Sequence, residues 1–294
     1  MAEQIIYIDG EYLPKSKAVI SVFDHGFLYG DGVFEGIRAY NGYVFKLKEH
    51  IDRLYESAKT MMLDVQMKKG EMEEAVIGTL RRNNLRDAYI RLIVTRGVGD
   101  LGLDPRKCPK SSVIVIAGTI SLMSKEAAEN GIKTLITWVR RDPIDGTSHE
   151  AKSLNYLNSI LAKIEANNVG ADEAIFLNPQ GYVCEGTAEN IFVIKNGNAL
   201  TPPTYTGALP GITQVAVIEI ASKMGIKVDS RPITAHELFN ADEVFFTGTA
   251  AEIIPVASIN GRIIGGGKAG EVTKKLRREF AKYAADPANG TPCA

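Results

Sequence analysis

The sequence lacks the features that mark several classes of protein. It has only three cysteines in 294 residues, and Cys108, Cys184 and Cys293 are scattered without the spacing of a metal site. Such an odd, dispersed set is typical of a reducing compartment rather than of a disulfide scaffold. No apolar run approaches the roughly 20 residues of a membrane span, and the first residues do not resemble a signal peptide. We therefore expect a cytoplasmic protein that does not bind membranes.

An excess of charge of either sign is also missing. Lys plus Arg (34) almost balances Asp plus Glu (35), so nucleic acid is not an expected partner. The four histidines have no metal-ligand spacing, and no metal is predicted. Gly265–Gly267 is read as a flexible turn, because no GxGxxG follows a strand. The 45% hydrophobic and 23% charged composition is that of a soluble globular chain, long enough for one large domain or two ordinary ones.

The first part of the chain mixes strand and helix signals. Asp9-Gly10 separates two short apolar stretches and predicts a tight hairpin turn, because both residues tolerate a positive φ. Apolar residues then recur twice at helical spacing, and two strand-like stretches follow. The predicted elements are a hairpin over 5–13, helices over 47–62 and 72–80, and strands over 89–95 and 113–117. We predict a small α/β domain over residues 1–118.

The second part has no steady βαβ rhythm, which favours an α+β architecture. Residues 119–131 are weakly patterned and are predicted to be a linker. Thr234–Glu237 has the form of a capping box and should open a short helix. The other predicted elements are strands over 132–139, 173–177, 191–194 and 243–247 and helices over 154–166, 214–224 and 271–283. We predict a larger domain over 132–285 and a mobile tail over 286–294.

Lys152 is the candidate reactive residue. It precedes an apolar stripe that predicts the buried face of a helix, formed by Leu154, Leu157, Ile160, Leu161 and Ile164. A lysine at the positive end of a helix dipole should lose its proton more easily, which suits Schiff-base chemistry. By itself the spacing is more typical of a solvated lysine, and that alternative stays open.

Two stretches of small residues could bind anions. Leu209–Thr213 lies directly before an apolar helical pattern, where Gly211 permits close backbone approach, Thr213 can cap the helix and free amides could hold a phosphate. Gly248–Ala251 follows a predicted strand and could hold a second phosphate or carboxylate. The alternatives are an ordinary capped helix and a plain strand-ending turn.

Glu185 and the Tyr89–Arg91 pair are candidates for polar contacts. A carboxylate such as Glu185, placed beside a pyridine nitrogen, would keep that nitrogen protonated. Tyr89 and Arg91 lie two apart on a predicted strand and so share a face, where they could hold a substrate carboxylate. The alternatives are a solvated loop acid for Glu185 and a structural ion pair for Arg91.

Together these residues resemble the fold-type IV pyridoxal-phosphate enzymes, most closely the branched-chain aminotransferases. The resemblance runs from about Ile8 to about Phe280, and the motifs stand in one order. They are FDHG at 23–26 with Tyr29-Gly30, VFEGIR at 33–38, EHIDRL at 49–54, AYIR at 88–91, KSLNY at 152–156, EGTAEN at 185–190, LPGIT at 209–213 and GTAAE at 248–252.

The resemblance implies a cofactor, pyridoxal 5'-phosphate, and roles for the residues that match. Lys152 would carry the cofactor as a Schiff base and move protons, Tyr156 would donate to the phenolic oxygen, and Glu185 would pair with the pyridine nitrogen. The phosphate would be held by Arg53, the amides of Ile212 and Thr213, and Thr249. Asn190, Leu209 and Gly211 complete the implied cofactor-binding set.

The resemblance also implies how substrates bind. Tyr89 and the amides of Thr249 and Ala250 would hold the α-carboxylate, while Arg91 and Tyr29 would meet the second carboxylate of glutamate. Phe34 would line an apolar pocket with Leu101 and Leu103 from the 97–104 loop of a neighbouring subunit, so that the chain forms a dimer or hexamer. This chain departs from some relatives at Thr119–Met123, where they have aromatic residues, and this affects the width of the pocket.

The implied architecture is a small α/β domain and a larger barrel-like domain with helices, as in D-amino-acid aminotransferase. The implied activity moves the amino group of L-leucine, L-isoleucine or L-valine to 2-oxoglutarate. The alternatives are a D-amino-acid transaminase, an aminodeoxychorismate lyase and, from another class, a cofactor-free Schiff-base aldolase. The interface loop 97–104 lacks the Arg-x-His pair of the D-specific enzymes, and this favours the L-specific activity.

Overall fold

The computed structural model describes residues 3–119 and 125–293, and the chain forms two compact units. The first comprises Met1–Ile120, Ala151–Asn155 and Tyr283–Ala294, and the second comprises Ser121–Glu150 and Tyr156–Lys282. Each unit has its own sheet and its own buried apolar cluster. The α+β class predicted from the sequence is confirmed.

The first unit is built on a seven-stranded antiparallel sheet in the order β15-β4-β3-β5-β6-β1-β2. Two amphipathic helices, α2 and α3, bury their apolar residues together with those of the sheet in one core. The predicted hairpin is confirmed, with Asp9 and Gly10 both at positive φ in its turn. The elements are β1 (Ile5–Ile8), β2 (Glu11–Pro14), α1 (His25–Tyr29), β3 (Gly32–Tyr40), β4 (Tyr43–Phe45), α2 (Leu47–Thr60), α3 (Lys69–Arg82), β5 (Ala88–Thr95), β6 (Ser112–Gly118) and β15 (Gly290–Pro292).

The second unit is built on a mixed sheet in which the strands follow the order β11-β10-β9-β12-β13-β7-β8, with β14 paired to β13. Its elements are α4 (Lys125–Asn130), β7 (Ile132–Ile136), α5 (Leu157–Asn168), β8 (Glu173–Ile175), β9 (Asn190–Lys195), β10 (Asn198–Thr201), α6 (Ile212–Lys223), β11 (Val228–Ser230), α7 (Ala235–Phe239), β12 (Glu243–Gly248), β13 (Glu252–Ile259) and β14 (Arg262–Ile263), while α8 spans Glu271–Ala285. The predicted capping box is confirmed, because the Glu237 amide donates to the Thr234 hydroxyl at 3.2 Å.

The segment that carries Lys152 forms an isolated antiparallel bridge to β3 in the first unit, between Ser153 and Val33. The Phe34 amide donates to the Lys152 carbonyl at 3.0 Å, and the Leu154 amide donates to the Gly32 carbonyl at 2.9 Å. The edge is available because β4 pairs only with the end of β3, at residues 39 and 40. The sheet therefore fixes the carbonyl of Lys152, and its two hydrogen bonds flank the neighbouring Ser153.

The prediction for the helix after Lys152 was wrong in two respects. Helix α5 begins at Leu157 rather than at residue 154, so Lys152 does not lie at its N-terminal end and gains nothing from its dipole. Its buried residues are Ser159, Ala162 and Ala166, because small side chains allow close approach to β8. The apolar stripe that was predicted to be buried is at least 44% exposed at Leu157, Ile160, Leu161 and Ile164.

The predicted mobile tail was also wrong. Strand β15 pairs with β4, the Cys293 amide donates to the Gly42 carbonyl at 2.8 Å, and the Cys293 side chain is buried. A free edge of β4 thus orders a segment that has no periodicity of its own. Of the predicted linker, residues 120–124 lie outside the described residues, and the boundaries near 118 and 132 stay a prediction. Among the described residues, no helix combines the length and the apolarity that crossing a membrane requires.

Candidate active site

Lys152 lies over the ring of Phe34 in the first unit. Its Nζ is 4.6 Å from the centre of that ring, and its amide donates to the buried Ser57 hydroxyl at 3.0 Å. Its side chain is half-buried. Since β3 supplies Phe34 and α2 supplies Ser57, two different elements fix the position of this amine.

Arg53 is held by a buried carboxylate that sequence reasoning missed. Glu35 on β3 accepts from Arg53 Nε and Nη2, both at 2.7 Å, and its Oε2 lies 2.7 Å from His50 Nδ1. Burial alone would raise the pKa of Glu35, but the charge of Arg53 and the hydrogen bond to His50 outweigh it and lower this pKa to about 2. The guanidinium is therefore oriented by a paired, ionised partner. The available signal was strand alternation, which places Glu35 on the same face as Val33 and Ile37, both of them fully buried.

Tyr89 and Arg91 share one face of β5, as predicted. Arg91 Nη2 donates to the Tyr89 hydroxyl at 2.9 Å, and the Arg91 guanidinium lies 4.7 Å from the centre of the Phe34 ring. Gly36 on β3 leaves room for the Tyr89 hydroxyl, which a side chain at position 36 would displace. An aromatic ring, a guanidinium, a phenol and the amine of Lys152 thus lie together in the first unit.

Tyr29 lies with the 97–104 loop. Its hydroxyl donates to the Leu101 carbonyl at 2.6 Å, and its ring meets the buried His25 ring edge-on. Leu101 and Leu103 are 68% and 77% exposed. Tyr29 and this loop were predicted to line different parts of the pocket, whereas in the structure they lie together on one surface of the chain.

Glu185 is the centre of a buried polar network in the second unit. Its Oε1 accepts from Arg141 Nη2 at 2.7 Å, and its Oε2 accepts from the Leu209 amide at 3.0 Å and from Asn190 Nδ2 at 3.2 Å. Arg141 is fully buried, stacks on Phe176 and was not identified from the sequence. Nothing in the pattern distinguishes it from Arg140 beside it, because only burial separates the two.

The start of α6 has the geometry of an anion cup. Gly211 is its N-cap, and any side chain there would meet Asn190 Oδ1, so only glycine fits. Among the described residues, the amides of Ile212 and Thr213 have no acceptor, as is normal for the first turn of a helix. The prediction that Thr213 caps the helix was wrong, because the Gly211 amide instead donates to Gln214 Oε1 at 3.4 Å.

The end of β12 is linked to this cup through Asn190, which lies against Gly211. Thr247 pairs directly with Asn190 across β12 and β9, so their side chains share a face. The Thr247 hydroxyl is buried and has no hydrogen-bond partner in the described part of the chain. Thr249 and Ala250 follow it in a half-buried turn, and Tyr156 is the N-cap of α5. A buried hydroxyl without a partner is costly unless a ligand or water satisfies it.

The chemistry available in each unit fits pyridoxal 5'-phosphate. In the second unit, the amides at the start of α6 suit its phosphate and the Glu185 carboxylate suits its ring nitrogen. In the first unit, the amine of Lys152 suits its aldehyde. The unpartnered Thr247 hydroxyl offers a further polar contact. In the described residues, no cluster of histidine, cysteine and acidic side chains could hold a metal ion.

Comparison with known proteins shows the family. Residues 32–259 match the family described as amino-transferase class IV. The chain belongs to the class IV aminotransferases. A Methanocaldococcus jannaschii protein named "putative branched-chain-amino-acid aminotransferase" is 56% identical to this class IV aminotransferase over 275 residues, 94% of each chain.

Solved structures agree with this family. The branched-chain aminotransferase of Escherichia coli has a TM-score of 0.94 at 37% identity, covering 97% of this chain and 96% of its own. The T.th. branched-chain aminotransferase, complexed with N-(5'-phosphopyridoxyl)-L-glutamate, has a TM-score of 0.94 at 37% identity and covers 100% of both chains. Another structure of the T.th. enzyme contains 4-methylvaleric acid. The enzyme is thus a pyridoxal-phosphate-dependent aminotransferase of fold-type IV, and the fold and cofactor predicted from its sequence are confirmed.

Proposed function

We propose that this aminotransferase moves the amino group of L-leucine, L-isoleucine or L-valine to 2-oxoglutarate. The observation that carries the proposal is the placement of Arg91 against the Phe34 ring, beside Lys152. An apolar ring suits an aliphatic side chain, and a guanidinium suits the second carboxylate of glutamate. The ligands named for the T.th. structures, a phosphopyridoxyl-glutamate and a branched aliphatic acid, have the same two chemistries.

The cofactor, when bound, supplies an electron-withdrawing ring that stabilises negative charge at the substrate Cα. In this proposal Lys152 would hold the cofactor, and its amine would take the proton from the substrate Cα. The Glu185 carboxylate, oriented by Arg141, would pair with the ring nitrogen, together with its neighbours Asn190 and Leu209. Tyr156 would donate to the phenolic oxygen, and Arg53, Thr249, Gly211 and the amides of Ile212 and Thr213 would hold the phosphate.

Substrate carboxylates would be bound from two sides. Tyr89 and the amides of Thr249 and Ala250 would take the α-carboxylate, which leaves Arg91 for the second carboxylate of glutamate. Leucine has no such group, and the same space would then be occupied by its methyl groups beside Phe34. One pocket can in this way serve both substrates of the cycle.

We further propose that the chain self-associates, as a dimer or a hexamer, through the 97–104 loop. Leu101 and Leu103 are exposed, and so are the apolar side chains nearby at Val98, Phe23 and Phe27. Such a patch is typical of an interface. The Tyr29 hydroxyl is hydrogen-bonded to the Leu101 carbonyl. Tyr29 would therefore line the pocket of the neighbouring subunit together with the loop, rather than the pocket that contains Arg91 of the same chain.

The function is tested by mixing purified enzyme with single amino acids and recording its visible absorption. L-Leucine, L-isoleucine and L-valine should each bleach the cofactor band, and 2-oxoglutarate should restore it. D-Leucine should leave the band unchanged, since D-specific turnover would identify the alternative transaminase. Release of pyruvate from aminodeoxychorismate would identify the lyase.

Arg91→Met separates the two substrates within that experiment. The variant should lower kcat/KM for L-glutamate by about 100-fold, because the charge-assisted contact between Arg91 and the second carboxylate is lost. L-Leucine turnover in the half-reaction should change by less than about threefold, because methionine keeps the pocket apolar. Equal losses for both amino acids would contradict the dual pocket while leaving the aminotransferase activity itself intact.

A further inference from the structure

Glu189 closes the loop that carries Glu185. This loop, residues 185–190, folds back on itself, with the Gly186 amide donating to the Glu189 carbonyl at 2.7 Å. The Glu189 side chain also folds back onto the loop, because its Oε2 accepts from the Ala188 amide at 3.1 Å. Glu189 is therefore held against its own loop by both its backbone and its carboxyl group.

The same side chain also fills the space next to the turn after β12. Glu189 Cγ lies 3.1 Å from the position that a Cβ would take at Gly248, and Oε2 lies 3.3 Å from the corresponding position at Gly186. Both glycines leave room that Glu189 uses. The side chain thus separates the loop of Glu185 from the turn that continues into Thr249 and Ala250.

Charged groups surround Glu189 from several elements. Glu173 on β8 accepts from the Thr187 amide at 3.0 Å, and Lys163 on α5 lies 3.5 Å from the other Glu173 oxygen. Burial and the negative charge of Glu173 raise the pKa of Glu189 to about 8; the Ala188 amide and Lys163 oppose this rise, and Glu185 adds to it. Its surroundings therefore favour the protonated form of the Glu189 carboxyl.

We propose that Glu189 is a positioning residue that sets the spacing between the Glu185 loop and the Gly248–Ala250 turn, and through it the affinity for the cofactor. A neutral carboxyl packs against the two glycines, whereas an ionised one repels Glu173 and Glu185 and draws water into the loop. This inference needs only the cofactor of the family and is independent of the proposed substrates.

The sign of the pH effect follows from the direction of the shift. The folded pKa of Glu189 lies above its ordinary value of 4.5. Its contribution to stability is therefore fully present below about pH 4.5 and is lost as the pH rises toward and through about 8. Cofactor affinity should fall over the upper part of this range, where the folded loop itself ionises.

The test is the dissociation constant of pyridoxal phosphate, measured on the apoenzyme from pH 6.5 to 9.5 for the wild type and Glu189→Gln. The amide mimics the protonated acid and cannot ionise. The wild-type constant divided by that of the variant should rise by roughly three- to tenfold across pH 8, the effect of a few unfavourable charge contacts. The ratio removes the pH effects that both proteins share.

Two further variants make the result decisive. Glu173→Gln should move the transition to lower pH, because it removes the repelling neighbour while leaving Glu189 in place. Glu126→Gln, at an exposed site on α4, should match the wild type throughout. Protection of the 186–190 amides from hydrogen exchange in the apoenzyme should fall above pH 8 in the wild type only. A pH-independent ratio, or a transition that Glu173→Gln leaves unmoved, would overturn the proposal even if Glu189→Gln folds poorly.

Discussion

Lys152→Ala should reduce transamination by about 1,000-fold or more, because it removes both the covalent attachment of the cofactor and the base at Cα. The fold should survive the change. The hydrogen bonds that fix this position involve only the backbone of Lys152. Its amide donates to the Ser57 hydroxyl, and its carbonyl accepts from the Phe34 amide. The side chain is only half-buried and lies over a ring, so its loss leaves no closed cavity. Single-turnover rates with L-leucine measure the effect, and circular dichroism checks the fold.

Lys48→Ala provides the matched control, since Lys48 is an exposed lysine of the same unit, on α2. It should retain wild-type rates and the visible cofactor band. Reductive trapping of the cofactor followed by peptide mass mapping should label the peptide with Lys152 in both the wild type and the control. Turnover of Lys152→Ala near the wild-type rate, or trapping on another lysine, would refute the assignment.

Arg141→Met should destabilise the protein by about 3–5 kcal/mol, because it leaves the buried Glu185 carboxylate without its cation. Methionine fills much of the volume that Arg141 occupies over Phe176, so the loss of stability comes mainly from removing the charge. Cofactor affinity should fall together with stability, since Glu185, the carboxylate proposed to face the ring nitrogen, loses its orienting partner. Urea unfolding of the apoenzyme and titration with pyridoxal phosphate measure the two effects separately.

Arg140→Met is the neighbouring control. Because Arg140 is exposed, its replacement should lower the free energy of unfolding by less than about 0.5 kcal/mol. The double variant Arg141→Met, Glu185→Gln should recover part of the stability lost by Arg141→Met, because both charges are then absent. It should not recover cofactor affinity. If Arg141→Met unfolds at the same urea concentration as Arg140→Met, the network around Glu185 does not depend on this arginine.

Structural features that depend on residues close in sequence were predictable. The hairpin at Asp9-Gly10, the Thr234 capping box and the shared face of Tyr89 and Arg91 each follow from a turn preference, a cap or strand alternation. The glycine of the α6 cup, Gly211, was likewise evident because it directly precedes a helical pattern. These features depend on neighbours within a few positions in the chain, and such neighbours are visible in the sequence.

Residues whose role depends on distant partners were not predictable in the same way. Arg141 meets Glu185, and Tyr29 meets Leu101, across long separations in sequence. The apolar stripe of α5 predicted a buried face, yet the helix packs on Ser159, Ala162 and Ala166 instead. Periodicity shows that a helix has an apolar side, but not which of its sides another element covers.

The sequence by itself determined the family and the cofactor, because short ordered motifs carry that chemistry, and it predicted Lys152 as the reactive amine. Only the tertiary structure decided that Lys152 belongs to the sheet of the first unit, that Glu185 is paired with Arg141, and that Glu189 lies between two glycine turns. The physical reason is that pairing, burial and the charge state of a side chain are set by groups brought together in space, whatever their separation along the chain.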